Sequence, residues 1–319
     1  MRGRDSIAVA LRHPDGEIRW KAEPLDSVLH RHRFARAPFF RGLVVLYETL
    51  VIGMRWLMRS GSVAAAGEGV EMGRGSIALM FTITIALAVG LFVLAPLFLA
   101  RTVADATVGP GQVILTQLFE AVIQIGIFVG YLLVVGRTQD IRRTFQYHGA
   151  EHMTIHALEH DDPLTIGEVR KYPTAHPRCG TEFLVVFIIL NIIFFSLLAG
   201  QPLILSILGR IVLIPVIASV AYELLRLGAR YRANLLVRVL FAPGMALQKI
   251  TTKQPDDSMI EVAIASMQEA LRANGDSAPA GSSDPPRRPL EEGERITEAG
   301  SAGAEPAAAA GVTADPSDV

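Results

Sequence analysis

Ser76 to Ala100 runs for 25 residues without a single charged side chain. At about 1.5 Å per residue, a helix of that length crosses a hydrocarbon core of roughly 30 Å with some tilt. Val113 to Val135 repeats the pattern, interrupted only by Glu120. Phe183 to Ala199 is a third run, at the short end of the usable range. After a Gln201-Pro202 break, Leu203 to Leu225 forms a fourth, which carries Arg210 and Glu223. Buried helices of soluble proteins are rarely so long and so uncharged. Composition agrees, since half of the 319 residues are apolar and only 19% are charged, against about a quarter in soluble domains. The expected fold is an all-α polytopic membrane protein with four transmembrane helices. Glu120 is expensive in lipid, so it is expected to face the bundle interior with Arg210 as its partner. Glu223 is expected to reach the loop between the second and third spans, or to pair with Arg226.

The placement of Lys and Arg sets an expected orientation. Residues 1–42 hold nine of them, 136–182 hold six and 226–253 hold six more, whereas 101–112 hold only Arg101. Both termini and the 136–182 loop are therefore expected on the cytoplasmic side of the membrane. No secretory signal is read at the N-terminus. The net charge of −1 says nothing about partners, because the basic residues are so unevenly placed; no nucleic-acid partner is expected. The expected partners are the lipid bilayer and a membrane-associated substrate, and a homo-oligomer is compatible with the pattern.

Seven segments follow: 1–42, 43–75, 76–135, 136–182, 183–225, 226–275 and 276–319. In the first, Ser6 to Lys21 reads as a β-hairpin around Pro14-Asp15-Gly16. In the second, Leu43 to Met58 is apolar but contains Glu48 and Arg55, which suits an interfacial helix. In the sixth, Ser258 to Ala273 reads as an amphipathic helix. Its expected capping box is Ser258-x-x-Glu261, its apolar face Ile260, Ile264, Met267 and Leu271, and its stop Gly275. From Asp276 the small, polar composition predicts a disordered tail.

Five of the eight histidines fall within residues 148–176, where even scattering would place fewer than one. The only cysteine, Cys179, follows three residues later and excludes an intramolecular disulfide. His148-x-x-Glu151-His152 has the spacing of an inverted zincin motif. On a helix the two imidazoles lie one turn apart and can share an ion, while Glu151 turns about 60° aside and is free to act as a base. His176-Pro177-Arg178-Cys179-Gly180 is a chelating turn, stiffened by Pro177 and freed by Gly180. The expected zinc ligands are His148, His152, His176 and Cys179, with Glu151 as catalytic base. A closed set of four suits a structural ion and an open position suits catalysis; the spacing leaves both open. His152 and His156 make an equally good pair by spacing, although His156 and His160 read as a solvated extension of the stripe. Cys179 also reads as a nucleophile activated by His176 or His152. Glu159 lies some 16 Å along the helix from His148, which suits a role beside the site rather than in it.

The segments Tyr147-His148-Gly149-Ala150-Glu151-His152 and His176-Pro177-Arg178-Cys179-Gly180-Thr181 resemble the YqhQ family of bacterial membrane proteins. The likeness extends to Pro38-Phe39-Phe40-Arg41-Gly42, Ala221-Tyr222-Glu223-Leu224, the run Pro243 to Thr252 and Glu261-Val262-Ala263-Ile264. The resemblance implies membrane residence and metal dependence, and supports His148, Glu151, His152, Glu159, His176 and Cys179. Family members carry a Gly- and Glu-containing segment ahead of the hairpin, where this chain has Met1-Arg2-Gly3. Together these readings lead to a zinc-type hydrolase at the cytoplasmic membrane face. Its rivals are a scaffold with a structural metal and a transporter using Glu120, Arg210 and Glu223.

Overall fold

The structure is a computed structural model, and it describes residues 1, 3, 6–13, 15–25, 35, 37–67, 74–107, 113–177, 179–198, 201–231 and 234–290. Strands β1 (Ser6–Arg12) and β2 (Ile18–Pro24) form the expected antiparallel hairpin, in register from Ser6 opposite Pro24 to Arg12 opposite Ile18. Gly16 turns the chain with φ +90°, a conformation that side chains bearing a Cβ avoid. Pro14 lies outside the described residues.

Helix α1 (Phe40–Gly67) is 28 residues long, so the segment expected as a short interfacial helix belongs to a longer rod. Helix α2 (Arg74–Val89), a π-helical turn at Gly90–Leu94 and α3 (Ala95–Thr107) follow one another directly. Pro96 accounts for the π turn. It offers no N–H to the preceding turn, and the ladder shifts so that Ala95 N–H reaches Gly90 O. Then come α4 (Val113–Val135), α5 (Gln139–Glu159), a single turn α6 (Ile166–Val169), α7 (Gly180–Ser196), α8 (Leu203–Arg230), α9 (Leu235–Thr251) and α10 (Asp257–Ala273).

Among the described residues three helical stretches are long and apolar enough to cross a membrane: Leu79–Thr107, Ile114–Val135 and Ile204–Gly228. The third expected span, Phe183 to Ala199, corresponds to α7, which is apolar but only 17 residues long. At about 1.5 Å per residue that is roughly 25 Å, short of a hydrocarbon core of about 30 Å. Helix α7 packs between α8 and α9. Val186, Leu190 and Phe195 of α7 meet Ile217 and Ala221 of α8 in one cluster. Arg210 of α8 and Glu120 of α4 form the expected buried ion pair, with the guanidinium 4.7 Å from the Phe195 ring. Glu223 does otherwise than expected. It accepts from Arg41 Nε at 2.7 Å and from the Phe39 amide at 3.2 Å, tying the start of α1 to α8.

The polar end of the protein is a second layer built around α10. Its pattern predicts one buried face, but Met259, Ile260 and every residue from Val262 to Ala270 are buried. One side packs on α5 and α6 through Ala150, Met153, Leu164, Val169, Ile260, Ile264 and Met267. The other carries Val262, Ala265 and Ser266, small enough for the hairpin to lie on them, with Ile18 in contact and Ser266 Oγ 3.2 Å from Ala8 O. The expected capping box is absent. Asp256 caps the helix by accepting from Met259 N at 3.0 Å, Ser258 bonds Asp256, and Glu261 instead pairs with Arg12 at 2.7 Å. The helix does stop at Gly275, with φ +76°.

Residues 276–290, expected to belong to a disordered tail, are instead packed against the rest of the protein. Strand β3 (Arg287–Pro289) pairs in parallel with β2, Ile18 opposite Arg287, and completes a three-stranded sheet ordered β1-β2-β3. Arg287 anchors it by bonding Glu269 at 2.6 Å and Asp284 at 2.6 Å, both contacts that composition does not reveal. Residues 291–319 lie outside the described part.

Candidate metal centre

Helix α5 presents Glu151 and the histidines 148, 152, 156 and 160, and it is held close to two non-helical segments. Gly149 permits this, because a Cβ there would lie 2.2 Å from Lys253 O. Lys253 N donates to Phe145 O at 2.9 Å and Gln146 Nε2 to Gln254 O at 3.1 Å, clamping the α9–α10 connection along α5.

That close approach fixes both imidazoles of the motif. His148 Nδ1 is 2.9 Å from Thr251 O, and His152 Nδ1 is 2.7 Å from Thr174 O. A carbonyl oxygen only accepts, so each Nδ1 carries a proton, and in the neutral ring the Nε2 lone pair is left for another partner. His148 Nε2 is 3.2 Å from Cys179 Sγ, and the two rings stand 4.3 Å apart. Donor atoms of His148, His152 and Cys179 lie within 4.8 Å of one another.

Cys179 caps α7, its sulfur accepting from Thr181 N at 3.4 Å and Thr181 Oγ1 at 3.2 Å. Burial alone pushes the thiol up, but hydrogen bonds from His148, His152 and Thr181 outweigh it and bring it down to about 5. His148 responds in the opposite sense: burial lowers it, and the bond to Cys179, the thiolate charge, the Thr251 carbonyl and Glu151 together more than reverse that. A thiolate facing two oriented imidazole nitrogens is the donor chemistry that zinc prefers, so the residues fit the ion.

His176 is placed differently from the sequence expectation. It is buried, and the Gln248 side chain grips its backbone from both sides: His176 N donates to Gln248 Oε1 at 2.8 Å, and Gln248 Nε2 donates to His176 O at 3.0 Å. Its Nε2 lies 3.2 Å from Glu159 Oε2, and burial lowers its pKa although Glu159 works against this. Its ring is 5.8 Å from that of His152 and 4.4 Å from that of His156. His156 is no solvated extension. Its ring stacks on Tyr172 and its Nε2 bonds Ala175 O at 3.0 Å. His160 is exposed, as expected. Arg178 lies outside the described residues.

His148, Glu151, His152, Glu159, His176 and Cys179 all line one cavity of about 620 Å³. Met267 and Leu271 of α10 and Asn274 just after it also line the cavity, and Met1 and Gly3 border it. Met1 and Gly3, ahead of the hairpin, are therefore at the site. Sequence reasoning missed Gly149, Thr174, Gln248 and Thr251 as positioning residues. Gly149 lies inside the His148–His152 motif and Gln248 and Thr251 inside the Pro243 to Thr252 run, but no local pattern gives them that role.

The arrangement defines a mostly helical protein with apolar rods at one end and a cavity-lining His/His/Cys centre at the other. Residues 37–273 match the family described as protein of unknown function (DUF1385), and the chain belongs to that family. It is also 30% identical over 284 residues to "Uncharacterized protein YqhQ" of Bacillus subtilis (strain 168), covering 85% of this chain and 88% of that protein. No solved structure matches the chain.

Proposed function

We propose that the protein is a zinc-type metal-dependent hydrolase at the cytoplasmic face of the bacterial inner membrane, acting on a membrane-associated substrate. The observation that carries this reading is the clustering of His148, His152 and Cys179 donor atoms within 4.8 Å on a cavity that Glu151 also lines. Zinc held there supplies Lewis acidity and acidifies water. His148 and His152 offer Nε2 because Thr251 and Thr174 take their other protons. Cys179 contributes the thiolate, and Glu151 accepts a proton from water in the cavity. Among the described residues three donors gather, so a position stays open for substrate, which favours catalysis over a closed structural ion.

The membrane arrangement belongs to the same reading. The three long rods and α7 make four passes, both termini and the 136–182 loop lie in the cytoplasm, and the shortness of α7 is met by local bilayer thinning. Reactivity of cysteines introduced into the 108–112 and 199–202 turns, toward an impermeant reagent on intact cells, tests it; labelling only after lysis refutes the orientation.

The deciding experiment is metal content with X-ray absorption on detergent-purified protein, alongside His152→Ala and Glu151→Gln. Zinc with nitrogen and sulfur ligands, lost in His152→Ala but retained without activity in Glu151→Gln, supports the hydrolase. The rival, a scaffold in which the ion knits α5 to its neighbours, draws on the carbonyl ties at Thr251 and Thr174. It predicts that Glu151→Gln changes nothing while His152→Ala unfolds the polar layer.

A further inference from the structure

The end of α8 and the start of α9 carry a charge pattern that the cavity does not use. Residues 224–255 contain six Lys and Arg and no Asp or Glu. Among the described residues, Arg230, Arg238 and Lys249 form no ion pair. The two arginines belong to one neighbourhood, because α9 folds back closely on α8. A Cβ on Gly228 would lie 2.3 Å from the Phe241 ring, and each arginine is within three residues of that contact.

An apolar face lies beside these cations. Leu227, Tyr231, Leu235, Leu236, Val239 and Leu240 are all exposed. Successive residues on a helix turn about 100°, so Leu235, Leu236, Val239 and Leu240 share an arc of about 140° on α9. Arg238 and Lys249 fall within about 20° of each other along one edge of that arc. The buried Gly244 and Gln248 point away from it, toward the protein. An apolar face with a basic edge and a packed back is the pattern of a helix lying in the plane of a membrane surface.

Continuity identifies what covers this face. Ile204–Gly228 is long and apolar enough to cross a membrane, and its exposed side leads through Leu227 to Tyr231 and then to α9. The Arg230 guanidinium lies 5.9 Å from the Tyr231 ring, a basic and aromatic pair of the kind that anchors a span at headgroup level. A second copy docked through a two-fold axis would set the same cations against each other with no carboxylate from this segment between them. A bilayer rich in lipid phosphate offers apolar depth and negative charge together.

We propose that the end of α8 and the exposed face of α9 form a docking surface for anionic phospholipid headgroups. Leu235, Leu236, Val239 and Leu240 enter the acyl boundary, and Arg230, Arg238 and Lys249 hold lipid phosphates. This placement rests on the passage of the Ile204–Gly228 rod through the bilayer, as read above. The far end of α9 carries Gln248 and Thr251, which hold His176 and His148, so the docked face and the cavity share one helix.

The test uses the full chain reconstituted into phosphatidylcholine vesicles with trace spin-labelled phosphatidylglycerol or spin-labelled phosphatidylcholine. The motionally restricted fraction of each label gives the lipid preference. Phosphatidylglycerol should be favoured by about fivefold, the scale of one guanidinium at an anionic surface, and added salt should reduce this. Arg230→Gln with Arg238→Gln should bring the preference near parity, and both side chains are exposed, so the fold is kept. Arg170→Gln with Lys171→Gln removes the same charge from exposed positions in the polar layer and should leave the preference unchanged. No preference in the parent, or equal loss in the two double variants, overturns the docking surface and leaves the proposed hydrolase standing. Disulfide-linked dimers formed by Leu236→Cys in the vesicles, but not by the parent with Cys179 alone, seat a second copy on this face and overturn it as well. Passage of the rod is read independently, by impermeant labelling of the 199–202 turn.

Discussion

Replacing Gly149 with alanine tests whether the close approach of α5 to the 251–254 segment builds the proposed metal centre. The added Cβ would lie 2.2 Å from Lys253 O and 3.2 Å from Thr174 Cγ2. A carbonyl oxygen is not the tip of a flexible side chain, so α5 and the connection must separate by about 1 Å to reach van der Waals distance. Thr251 O moves with its neighbour, and its 2.9 Å bond to His148 Nδ1 stretches beyond hydrogen-bond range. Overpacking of this kind costs about 1 to 3 kcal/mol, and the better helix propensity of alanine returns about 1. The net effect on stability is a loss of up to about 2 kcal/mol. Loss of the carbonyl that orients a ligating histidine lowers metal affinity by roughly 10- to 100-fold. Thermal unfolding in detergent and zinc competition against a chromogenic chelator read the two effects separately. Gly167→Ala is the control, since a Cβ there meets nothing within 4 Å. If Gly149→Ala binds zinc and melts like the parent, the backbone contact does not build the site and the reasoning fails.

Three further outcomes are expected. Gln248→Ala leaves the buried His176 N–H and C=O without their partner, at about 1 to 3 kcal/mol for each group, and the melting temperature should fall accordingly. Glu120→Leu strands a buried Arg210 and should destabilise the bundle by about 3 to 5 kcal/mol, whereas Glu120→Leu with Arg210→Leu should recover most of it; a double variant as unstable as the single one refutes the pair as a structural element. Cys179 is the only thiol, so maleimide labelling reports on it alone. Labelling should be slow in the zinc-loaded protein and rise after chelation, and a rate unaffected by zinc argues against sulfur ligation.

The rods, the hairpin and the His/Cys trio were legible in the sequence because each rests on local pattern. Uncharged length announces a span, alternation around Asp15-Gly16 a hairpin, and His148-x-x-x-His152 a shared helix face. What stayed hidden depends on contacts between distant segments. The stripe on α10 revealed one buried face, but Ala265 and Ser266 opposite it are neutral to burial, and only the arrival of the hairpin decides that they are covered. Strand β3 escaped notice because three residues in a proline-rich stretch have no period to read. Glu223 reads as a partner for the 136–182 loop or for Arg226, while its partner in the structure, Arg41, is 182 positions away. His176 looked like a ligand of the same ion as His148 by spacing, yet its ring direction depends on Gln248 and Glu159, neither of which is adjacent to it in the chain.

The sheet that covers α10 also imposes an order in time. Its first two strands are complete by Pro24, but their support begins at Asp257 and their third strand at Arg287. At 5 to 20 residues per second, the hairpin waits roughly 10 to 50 s after leaving the ribosome before its partners exist. A lone two-stranded hairpin is marginal in water, so for that interval it is an open strand edge beside nascent apolar rods. The polar layer is thus the last part of the molecule to close. A chain cut short before Arg287 can assemble every rod and still display an unsatisfied edge on β2, a mark by which incomplete copies differ from finished ones.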